Sequence, residues 1–377
     1  MKWLNNIHRI GKATHTCKVW YHVLRTVLPH QTVSMTLEEA EHIMELRYAD
    51  RGTSCVKANA IASQPEYDLE IIVPVYNAER YLDECIRSIT GQVTDYRFHV
   101  TFVNDGSTDR SAEILDRYKE EEQIKVITQI NKGVSAARNQ VLKELNARYV
   151  MFVDADDMLP QDTIQNLMQN AYEQNADIVE GSIATTDGST QKLLILHTDN
   201  NDAQDVSGYV CSKVFAARLF EHIGFPENYR YEDTILSFLL YPMARKMTTI
   251  SETAYLYRQH DTSFTSGEQG NYAILDAYWV VRKLIGTAME MVPSERLNQV
   301  YEAFLQGMKL SGSRICSLDR DTCMAYFAGM CELAKRHFPT SAQIVTSTDK
   351  AHQTLAIIHK ALQNKDFTQY LLASNLL

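Results

Sequence analysis

The chain has 377 residues, enough for roughly two to three domains of about 150 residues, and this length excludes the small disulfide-stapled folds. Its hydrophobic fraction of 45%, with only 15 glycines and 8 prolines, excludes collagen-like and low-complexity chains. The net charge of −10 disfavours binding of a phosphate backbone by the whole protein, so we expect no nucleic-acid partner.

The cysteines and the apolar segments predict the compartment. Seven cysteines are scattered without a C-x-x-C pair, which is typical of thiols in a reducing compartment. No window reaches the roughly 18 apolar residues of a membrane-spanning helix, and the amino terminus has no secretory h-region. We therefore expect a cytoplasmic protein.

The first 28 residues are basic and amphipathic. No acidic residue precedes Glu38, and apolar residues recur at i, i+3 and i+4, which predicts two short helices broken near Gly11. These helices either lie on an anionic membrane surface, at the inner membrane face, or pack on the rest of the protein. The apolar positions are Trp3, Leu4, Ile7, Ile10, Val19, Trp20, Val23, Leu24, Val27 and Leu28.

A capping box opens the next helix. Thr36 and Glu39 have the S/T-x-x-E spacing of a helix start, and we expect this helix to end before Gly52. The looser stretch 53–65 is predicted to be a linker. Residues 1–67 are therefore interpreted as a helical extension and linker.

Short apolar runs alternate with amphipathic segments from Asp68 onward. This rhythm is typical of β-α-β units in a parallel sheet and predicts the α/β class. The predicted strands are residues 69–73, 98–103, 125–129, 149–153 and 177–181. The predicted helices are about residues 79–89, 111–121 and 134–145.

Polar and aromatic residues follow these strands, at the carboxyl ends where open α/β sheets bind ligands. Pro74, Tyr76 and Asn77 follow the first strand, residues 104–109 the second and residues 154–157 the fourth. None of these loops is glycine-rich. The missing G-x-G-x-x-G disfavours a dinucleotide-binding enzyme, and the missing G-x-x-x-x-G-K-[ST] excludes P-loop phosphotransferases.

Three carboxylates stand within four residues after the fourth strand. Asp154, Asp156 and Asp157 would repel one another if they converged without a cation. Such hard oxygen ligands suit Mg²⁺ or Mn²⁺, which is usually completed by substrate phosphates. The alternative is a turn and helix N-cap, with Asp157 or Asp162 at the positive end of a helix.

Four motifs in chain order resemble family 2 glycosyltransferases. They are IIVPVYNAERYL at 71–82, VNDGSTD at 103–109, NKGVSAARN at 131–139 and FVDADD, with its DXD pattern, at 152–157. The resemblance continues in GYVCSKVF at 208–215, YEDT at 231–234 and YLYRQH at 255–260, as in bacterial capsule and exopolysaccharide enzymes. It covers about residues 68–266.

The resemblance implies a GT-A fold, Rossmann-like with a mostly parallel sheet flanked by helices. It also implies inverting transfer of a sugar from a nucleotide diphosphate sugar, usually a UDP-sugar, to a glycan or lipid-linked acceptor. The motifs place Pro74, Tyr76 and Asn77 at the donor, with Tyr76 stacked on the base and Asp105 bonded to its polar edge. For Tyr76 the alternative is a packed aromatic at a strand end.

The remaining donor-side roles are also carried over from the family. Asn131 and Arg138 match positions close to the uridine, although Arg138 could instead support the loop. Asp154 would hold the ribose and Asp156 would ligate Mn²⁺ or Mg²⁺. His260 would ligate the metal or contact the diphosphate, and its alternative is an ordinary surface or core histidine.

Acceptor activation needs a base, and the resemblance favours Asp233 for that role. Its alternative, shared with Glu232, is a carboxylate stabilised at a helix amino terminus. Lys213 either neutralises a phosphate, or orients the acceptor, or forms a structural ion pair. Further candidate positions carried by the motifs are Glu79, Asp157, Glu232 and Arg258.

The chain departs from the family pattern at two positions. Asn104 stands where many members carry Asp, and Val141 stands where a Gly commonly follows Ala-Arg-Asn. Neither change is expected to remove donor binding.

After about Asn271 the pattern is helical, and residues 267–377 are interpreted as a helical subdomain. Acceptor cover, oligomerisation and packing on the amino-terminal helices are the roles considered for it. A noncatalytic nucleotide-sugar-binding partner subunit is the competing function. A sugar nucleotidyltransferase is disfavoured because residues 74–80 contain no glycine.

Overall fold

The computed structural model describes residue 12 and residues 17–187, 190–203, 206–259, 271–338 and 350–377. It divides into two compact units. The helical unit comprises Met1–Gly52, Tyr229–Pro242 and Thr265–Leu377, and the sheet unit comprises Thr53–Asn228 and Met243–Phe264.

Helices occur along the whole of the described chain. In chain order they are α1 Cys17–Val27, α2 Leu37–Arg47, α3 Leu82–Thr90, α4 Ser111–Asp116, α5 Val134–Leu142, α6 Thr163–Gln174, α7 Tyr241–Met243, α8 Asp276–Met291, α9 Leu297–Ile315, α10 Arg320–His337, α11 Lys350–Gln363 and α12 Phe367–Leu376. The segment Leu236–Leu240, just before α7, is π-helical. Short 3₁₀ turns cover Ala217–Phe220, Tyr272–Leu275 and Ser294–Arg296.

An eight-stranded sheet forms the centre of the sheet unit. Its strands are β2 Tyr67–Val75, β3 Phe98–Asp105, β4 Ile124–Gln129, β6 Ala147–Phe152, β7 Ile178–Thr186, β8 Gln191–Ile195, β9 Lys213–Ala216 and β10 Met247–Arg258. Their order is β10-β7-β9-β6-β2-β3-β4, with β8 paired to β7. All these pairs are parallel except those of β9 with β6 and β7 and that of β8 with β7. Two short strands, β1 Ala60–Ile61 and β5 Glu144–Leu145, form a separate parallel pair.

The expected α/β architecture is confirmed, and all five predicted strands are present. Strands β2, β3 and β6 are largely buried, as expected for parallel strands covered by helices. Two predicted helices are shorter than expected. The helix at 111–121 ends at Asp116, and the helix at 134–145 ends at Leu142 because the backbone of Glu144 and Leu145 pairs with β1.

The stretch 53–65, expected to be a linker, lies along the sheet unit. Lys57 N donates to His222 O at 2.9 Å, and Asn59 N donates to Glu221 O at 3.0 Å. The Asn59 side chain also donates to the Phe220 carbonyl oxygen at 2.6 Å. The segment is therefore held by long-range backbone pairing that its loose composition did not indicate.

The amino- and carboxy-terminal helices belong to one unit, although the sequence separates them into 1–67 and 267–377. Helix α2 packs on α10, and α1 packs on α12. Val33 N donates to Lys365 O at 3.0 Å, and Phe367 N donates to Gln31 O at 2.9 Å. The capping box is confirmed, because Thr36 accepts from Glu39 N while the Glu39 side chain accepts from Thr36 N.

Candidate functional site

Three of the motif loops meet at one edge of the sheet. Strand β2 is parallel to both β3 and β6, with Val75 opposite Asn104 and Ile72 opposite Phe152. The carboxyl ends of the three strands therefore lie side by side. Of the predicted donor-binding residues, Pro74, Tyr76, Asn77, Asp105 and Asp154 lie at these strand ends or in the loops that follow them, and we call this region the carboxyl edge.

The loops after β2 and β3 are bonded to each other. Asn77, with a φ of 49°, donates its N–H to Ser107 Oγ at 3.1 Å, and its Oδ1 accepts from Thr108 N at 2.8 Å. Glu79 N donates to Asp109 Oδ2 at 2.9 Å. Asn77 thus joins the two loops by hydrogen bonds, and these bonds fix the backbone next to Tyr76.

Tyr76 stands at the end of β2 with 53% of its surface exposed. This exposure argues against the packed-aromatic alternative and leaves the ring face open for a ligand.

The other two candidates in this motif have structural contacts. Pro74 pairs in register with Val103 within the sheet. The Glu79 carboxylate accepts from Arg110 N at 3.0 Å and Arg110 Nε at 3.3 Å, so it stabilises the loop.

Asp105 holds the third motif loop. It is 3% exposed, and its oxygens accept from Lys132 N at 2.9 Å, Gly133 N at 2.7 Å and Gln129 Nε2 at 2.8 Å. Asn131 is exposed within the same loop. Asp105 therefore positions the loop that carries Asn131, a role that the motif alone did not reveal.

A glycine allows the second and third loops to approach. Gly106 has a φ of +72°, and a Cβ there would lie 2.8 Å from Asn131 N. Any side chain at this position would be strained and would push the third loop away.

Arg138 lies on α5 and supports the carboxyl edge through the Asp154 carboxylate. It is 3% exposed on α5, and its Nη2 donates to Asp154 Oδ1 at 3.2 Å. The guanidinium lies 5.8 Å from the Phe152 ring centroid and 5.1 Å from that of Phe225. This geometry favours the alternative for Arg138, support of the loop, because the guanidinium holds the Asp154 carboxylate.

Asn139, the next residue, is one that sequence reasoning did not single out. Its Oδ1 accepts from Phe225 N at 2.8 Å, and its Nδ2 donates to Phe225 O at 2.8 Å and Glu227 Oε1 at 2.9 Å. Its place beside Arg138 in the NKGVSAARN motif was the available signal. Its partner, more than eighty residues later, could not be inferred.

The acidic loop after β6 brings Asp154, Asp156 and Asp157 together. Burial raises the pKa of Asp157 to about 8, and the charges of Asp154 and Asp156 add to this effect. Burial also raises the pKa of Asp154, against the opposing effect of the Arg138 charge. Asp157 is 1% exposed, whereas the Asp154 side chain keeps 41% of its surface, so Asp154 is the more accessible of the two.

Arg258, the last residue of β10, shapes the acidic loop. Its N–H donates to Asp157 Oδ1 at 2.7 Å, and its Nε donates to the Asp156 carbonyl oxygen at 2.9 Å. Its guanidinium also pairs with Glu84 and lies 4.7 Å from the Tyr81 ring centroid. Arg258 is 6% exposed, and these contacts make it a support of the loop.

The acidic loop fits a divalent cation that is only partly ligated by protein. Asp157 Oδ2 is buried and accepts no hydrogen bond from the part of the chain that the structure describes. No three His, Cys, Asp or Glu side chains converge as a complete metal site among the described residues, and His260 lies outside them. One or two carboxylates completed by substrate phosphates are the usual Mg²⁺ arrangement, and the donors present suit it.

Lys213 forms a buried ion pair. It is 0% exposed, and its Nζ donates to Glu180 Oε1 at 2.7 Å, Ser207 Oγ at 3.0 Å and Tyr209 O at 2.6 Å. Burial alone would raise the pKa of Glu180, but the Lys213 charge and a hydrogen bond from His197 lower it to about 2. All three ammonium protons are used within the protein, which favours the ion-pair alternative for Lys213.

We expect Lys213→Met to lower the free energy of unfolding by about 3–5 kcal/mol, because it leaves the Glu180 charge buried without its main partner. Urea denaturation followed by circular dichroism measures the change. Lys192→Met, at an exposed position of β8, is the control and should stay within about 0.5 kcal/mol of wild type. A Lys213→Met protein as stable as the control would contradict the ion-pair role.

Asp233 and Glu232 belong to the helical unit and lie in the turn before the π-helical segment. Asp233 is exposed and Glu232 is half-buried, so the two carboxylates differ in environment. Leu236 N donates to the Asp233 carbonyl oxygen at 2.9 Å. The role of Asp233 as a base stays a prediction.

Comparison with known proteins matches the same part of the chain. A family model described as Glycosyl transferase family 2 matches residues 70–223. Glycosyltransferase GlyG of Streptococcus pneumoniae is 30% identical over 222 residues, covering 53% of this chain and 73% of GlyG. Glycosyltransferase GlyA of the same species is 31% identical over 262 residues, covering 63% of this chain and 37% of GlyA. The chain thus spans little more than a third of GlyA.

Among solved structures, Staphylococcus aureus TarS, residues 1–349, in complex with UDP-GlcNAc has a similar fold. The TM-score is 0.63 at 18% identity, and the match covers 81% of this chain and 90% of that one. At this identity the likeness concerns the fold.

Proposed function

The chain belongs to glycosyltransferase family 2, and we propose on that basis that it transfers a sugar, with inversion, from a UDP-sugar to a glycan or lipid-linked acceptor in cell-surface polysaccharide synthesis. One observation carries this proposal. At the carboxyl edge, the exposed Tyr76, the Asp105 carboxylate and the acidic loop lie at the ends of the neighbouring strands β2, β3 and β6. A nucleotide-sugar donor needs an aromatic face for its base, hydrogen-bond acceptors for its base and ribose, and a cation-binding loop for its diphosphate, all close together.

The nucleotide is proposed to lie on Tyr76. An exposed ring at a strand end offers a face for stacking on a base. Asn131 and the remaining acceptor position of Asp105 would bond the polar edge, since a carboxylate has about four lone-pair positions and the protein uses three. Asp154, held by Arg138, is directed to the ribose.

Asp156 is proposed to ligate Mn²⁺ or Mg²⁺, with Asp157 as a neighbouring oxygen donor and His260 as a candidate from the family pattern. A bound cation supplies charge neutralisation for the departing diphosphate. Arg258 holds the backbone of Asp156, and this contact fixes the side chain that would bind the metal. Burial is the main cause of the raised pKa of Asp157, and a bound cation would offset the further contribution from the charges of Asp154 and Asp156.

Asp233 is proposed as the base. The acceptor hydroxyl oxygen forms a bond to the anomeric carbon while the bond from that carbon to the diphosphate oxygen breaks, which inverts the configuration. The hydroxyl proton passes to the Asp233 carboxylate, and the nucleoside diphosphate leaves. The exposed position of Asp233 suits contact with an acceptor.

Calorimetric titration with UDP, GDP and dTDP in the presence of Mn²⁺ tests the donor. We expect UDP to bind and GDP to bind at least tenfold more weakly. Equal binding of all three nucleotides, or none, would contradict a UDP-sugar donor. A protein that binds UDP-sugars and releases no UDP with any acceptor would instead be the noncatalytic partner subunit.

Replacing Tyr76 with Ala should weaken UDP binding by about 5- to 150-fold, because stacking of one base on an aromatic ring contributes about 1–3 kcal/mol. The same titration measures it. Tyr172→Ala is the matched control, since Tyr172 is 38% exposed and bonds to Asp68 near the amino end of β2. Unchanged UDP affinity in Tyr76→Ala would place the base elsewhere.

We also propose that α1 rests on the inner face of an anionic membrane. Val19, Trp20, Val23 and Val27 are 60%, 39%, 45% and 65% exposed on one side of α1, while Tyr21 is buried on another. Such an apolar face beside basic residues suits an anionic bilayer surface. No helix that the structure describes is long and apolar enough to cross a membrane.

Flotation with phosphatidylglycerol vesicles tests the contact. Wild-type protein should float, and Trp20→Glu/Val23→Glu should lose at least half of the bound fraction. Leu310→Glu, at a 66% exposed position of α9, is the control and should float like wild type. Wild-type protein that stays in the soluble fraction would contradict the membrane proposal.

A further inference from the structure

Asp276 begins α8 and is almost fully buried within the helical unit, with 2% of its surface exposed. Its Oδ2 accepts from Arg230 N at 3.1 Å and from the Tyr48 hydroxyl at 3.4 Å. Trp279, one turn further along α8, donates its Nε1–H to Tyr48 O at 3.0 Å. The start of α8 therefore holds both the chain at Arg230 and the segment after α2.

The neighbouring Tyr229 is fixed by that same segment. Its hydroxyl donates to Asp50 Oδ1 at 2.7 Å, and Gly52 N donates to the same oxygen at 3.1 Å. A Cβ at Gly52 would lie 1.8 Å from Tyr229 Cζ, so the ring occupies the space that a larger residue would need. Lys283 Nζ lies 3.6 Å from Asp50 Oδ2 and offsets its charge.

Tyr229 and Arg230, which these hydrogen bonds hold in place, precede the proposed base Asp233 by only a few residues. From Tyr231 onward the backbone forms a helical turn, in which Thr234 N donates to Tyr231 O at 3.2 Å and Leu236 N to Asp233 O at 2.9 Å. The short stretch that carries Asp233 is thus held at one end by Asp276 and at the other by the helix.

We propose that Asp276 is a positioning residue for Asp233. Its carboxylate fixes the backbone at Arg230, and through it the direction in which the Asp233 carboxylate points. The inference rests on the proposed function, because it assumes that Asp233 is the base. Asp276 itself, buried on α8, is not assigned contact with a substrate.

The charged form of Asp276 depends on these neighbours. Burial raises the pKa of Asp276 to about 6, with a further contribution from Asp50, while the hydrogen bonds from Arg230 N and the Tyr48 hydroxyl and the Arg230 charge oppose the rise. At pH 8 the Asp276 carboxyl is therefore ionised. Assays at that pH compare each variant with a wild-type protein in which Asp276 is charged.

Steady-state UDP release from the UDP-sugar that supports turnover tests the proposal. Asp276→Ala should lower kcat about 10- to 100-fold with KM for the UDP-sugar within twofold, because a shift of about 1 Å in a catalytic group costs up to about 100-fold. Asp276→Asn keeps an oxygen acceptor for Arg230 N and should recover most of the rate. Tyr229→Phe, which removes one hydroxyl, should give the same pattern at about threefold.

A double-mutant cycle separates positioning from general destabilisation. In an Asp233→Asn background, Asp276→Ala should lower the rate by less than twofold. The control is Asp366→Ala, because Asp366 is 7% exposed, caps α12 in the same unit and should leave kcat within twofold. If the rate losses of Asp276→Ala and Asp233→Asn multiply in the double variant, or if Asp366→Ala lowers kcat as much as Asp276→Ala does, the positioning role is wrong. The proposed role of Asp233 as the base would be unaffected by that result. A fully active Asp233→Asn protein would overturn both this inference and the proposed base.

Discussion

Asp233→Asn is expected to lower the rate of sugar transfer by about 100- to 10,000-fold, the usual contribution of a general base. The amide keeps the size of the side chain but cannot accept the proton of the attacking hydroxyl. UDP affinity should stay within twofold, because the proposed nucleotide contacts lie at the carboxyl edge of the sheet unit. Single-turnover transfer and calorimetry measure the two quantities.

Glu232→Gln is the matched control for that prediction. Glu232 is the neighbouring carboxylate and is half-buried, whereas Asp233 is exposed. We expect Glu232→Gln to lose less than tenfold in rate. If Glu232→Gln loses the larger share of activity, the base is Glu232, and the family pattern has been carried over to the wrong residue.

Asp156→Asn should lower turnover by about 100- to 1,000-fold, the range seen when one group that stabilises developing charge is removed. The proposed site holds its cation through one or two carboxylates, so the loss of one charge weakens cation binding directly. Calorimetry of UDP with and without Mn²⁺ should show that UDP binding depends on Mn²⁺ in wild type and has lost that dependence in Asp156→Asn.

Asp162→Asn provides the control for the acidic loop. Asp162 is exposed just before α6 and is the alternative acidic residue at a helix start. It should keep turnover within threefold. Full activity of Asp156→Asn, together with activity that chelation by EDTA does not reduce, would instead support the turn and N-cap interpretation of this loop.

The sheet and the place of the site could be predicted because both follow from local patterns. Apolar runs at regular spacing identify parallel strands, and parallel strands bring their carboxyl ends to one edge. Tyr76 and Asp156 could therefore be assigned to the same edge of the sheet without knowledge of the packing. Register and handedness did not need to be known for that step.

What the sequence could not predict depends on distant partners. The motif indicates a base-binding role for Asp105, and only the fold shows that Lys132 and Gly133 donate to it. The sequence around Lys213 is equally consistent with a phosphate contact and an ion pair, and only the fold places Glu180 beside it. Both partnerships join separate elements, and nothing in the local spacing encodes them.

The division of the chain into two compact units could not be predicted from local sequence patterns either. Helices before Gly52 and after Thr265 share a unit with Tyr229–Pro242, which lies inside the stretch that resembles the family. Contacts such as that of Arg230 N with Asp276 define this grouping, and a single sequence does not show them.

Release of UDP from UDP-sugars in the presence of Mn²⁺ is the most direct test of the proposed sugar transfer. A panel of UDP-, GDP- and dTDP-sugars, with water or oligosaccharide and lipid-linked acceptors, would be assayed with wild type, Asp156→Asn and Asp233→Asn in parallel. We expect wild type to release UDP from a UDP-sugar and both variants to lose this activity. Release that persists in both variants, or binding without any release by wild type, would contradict it.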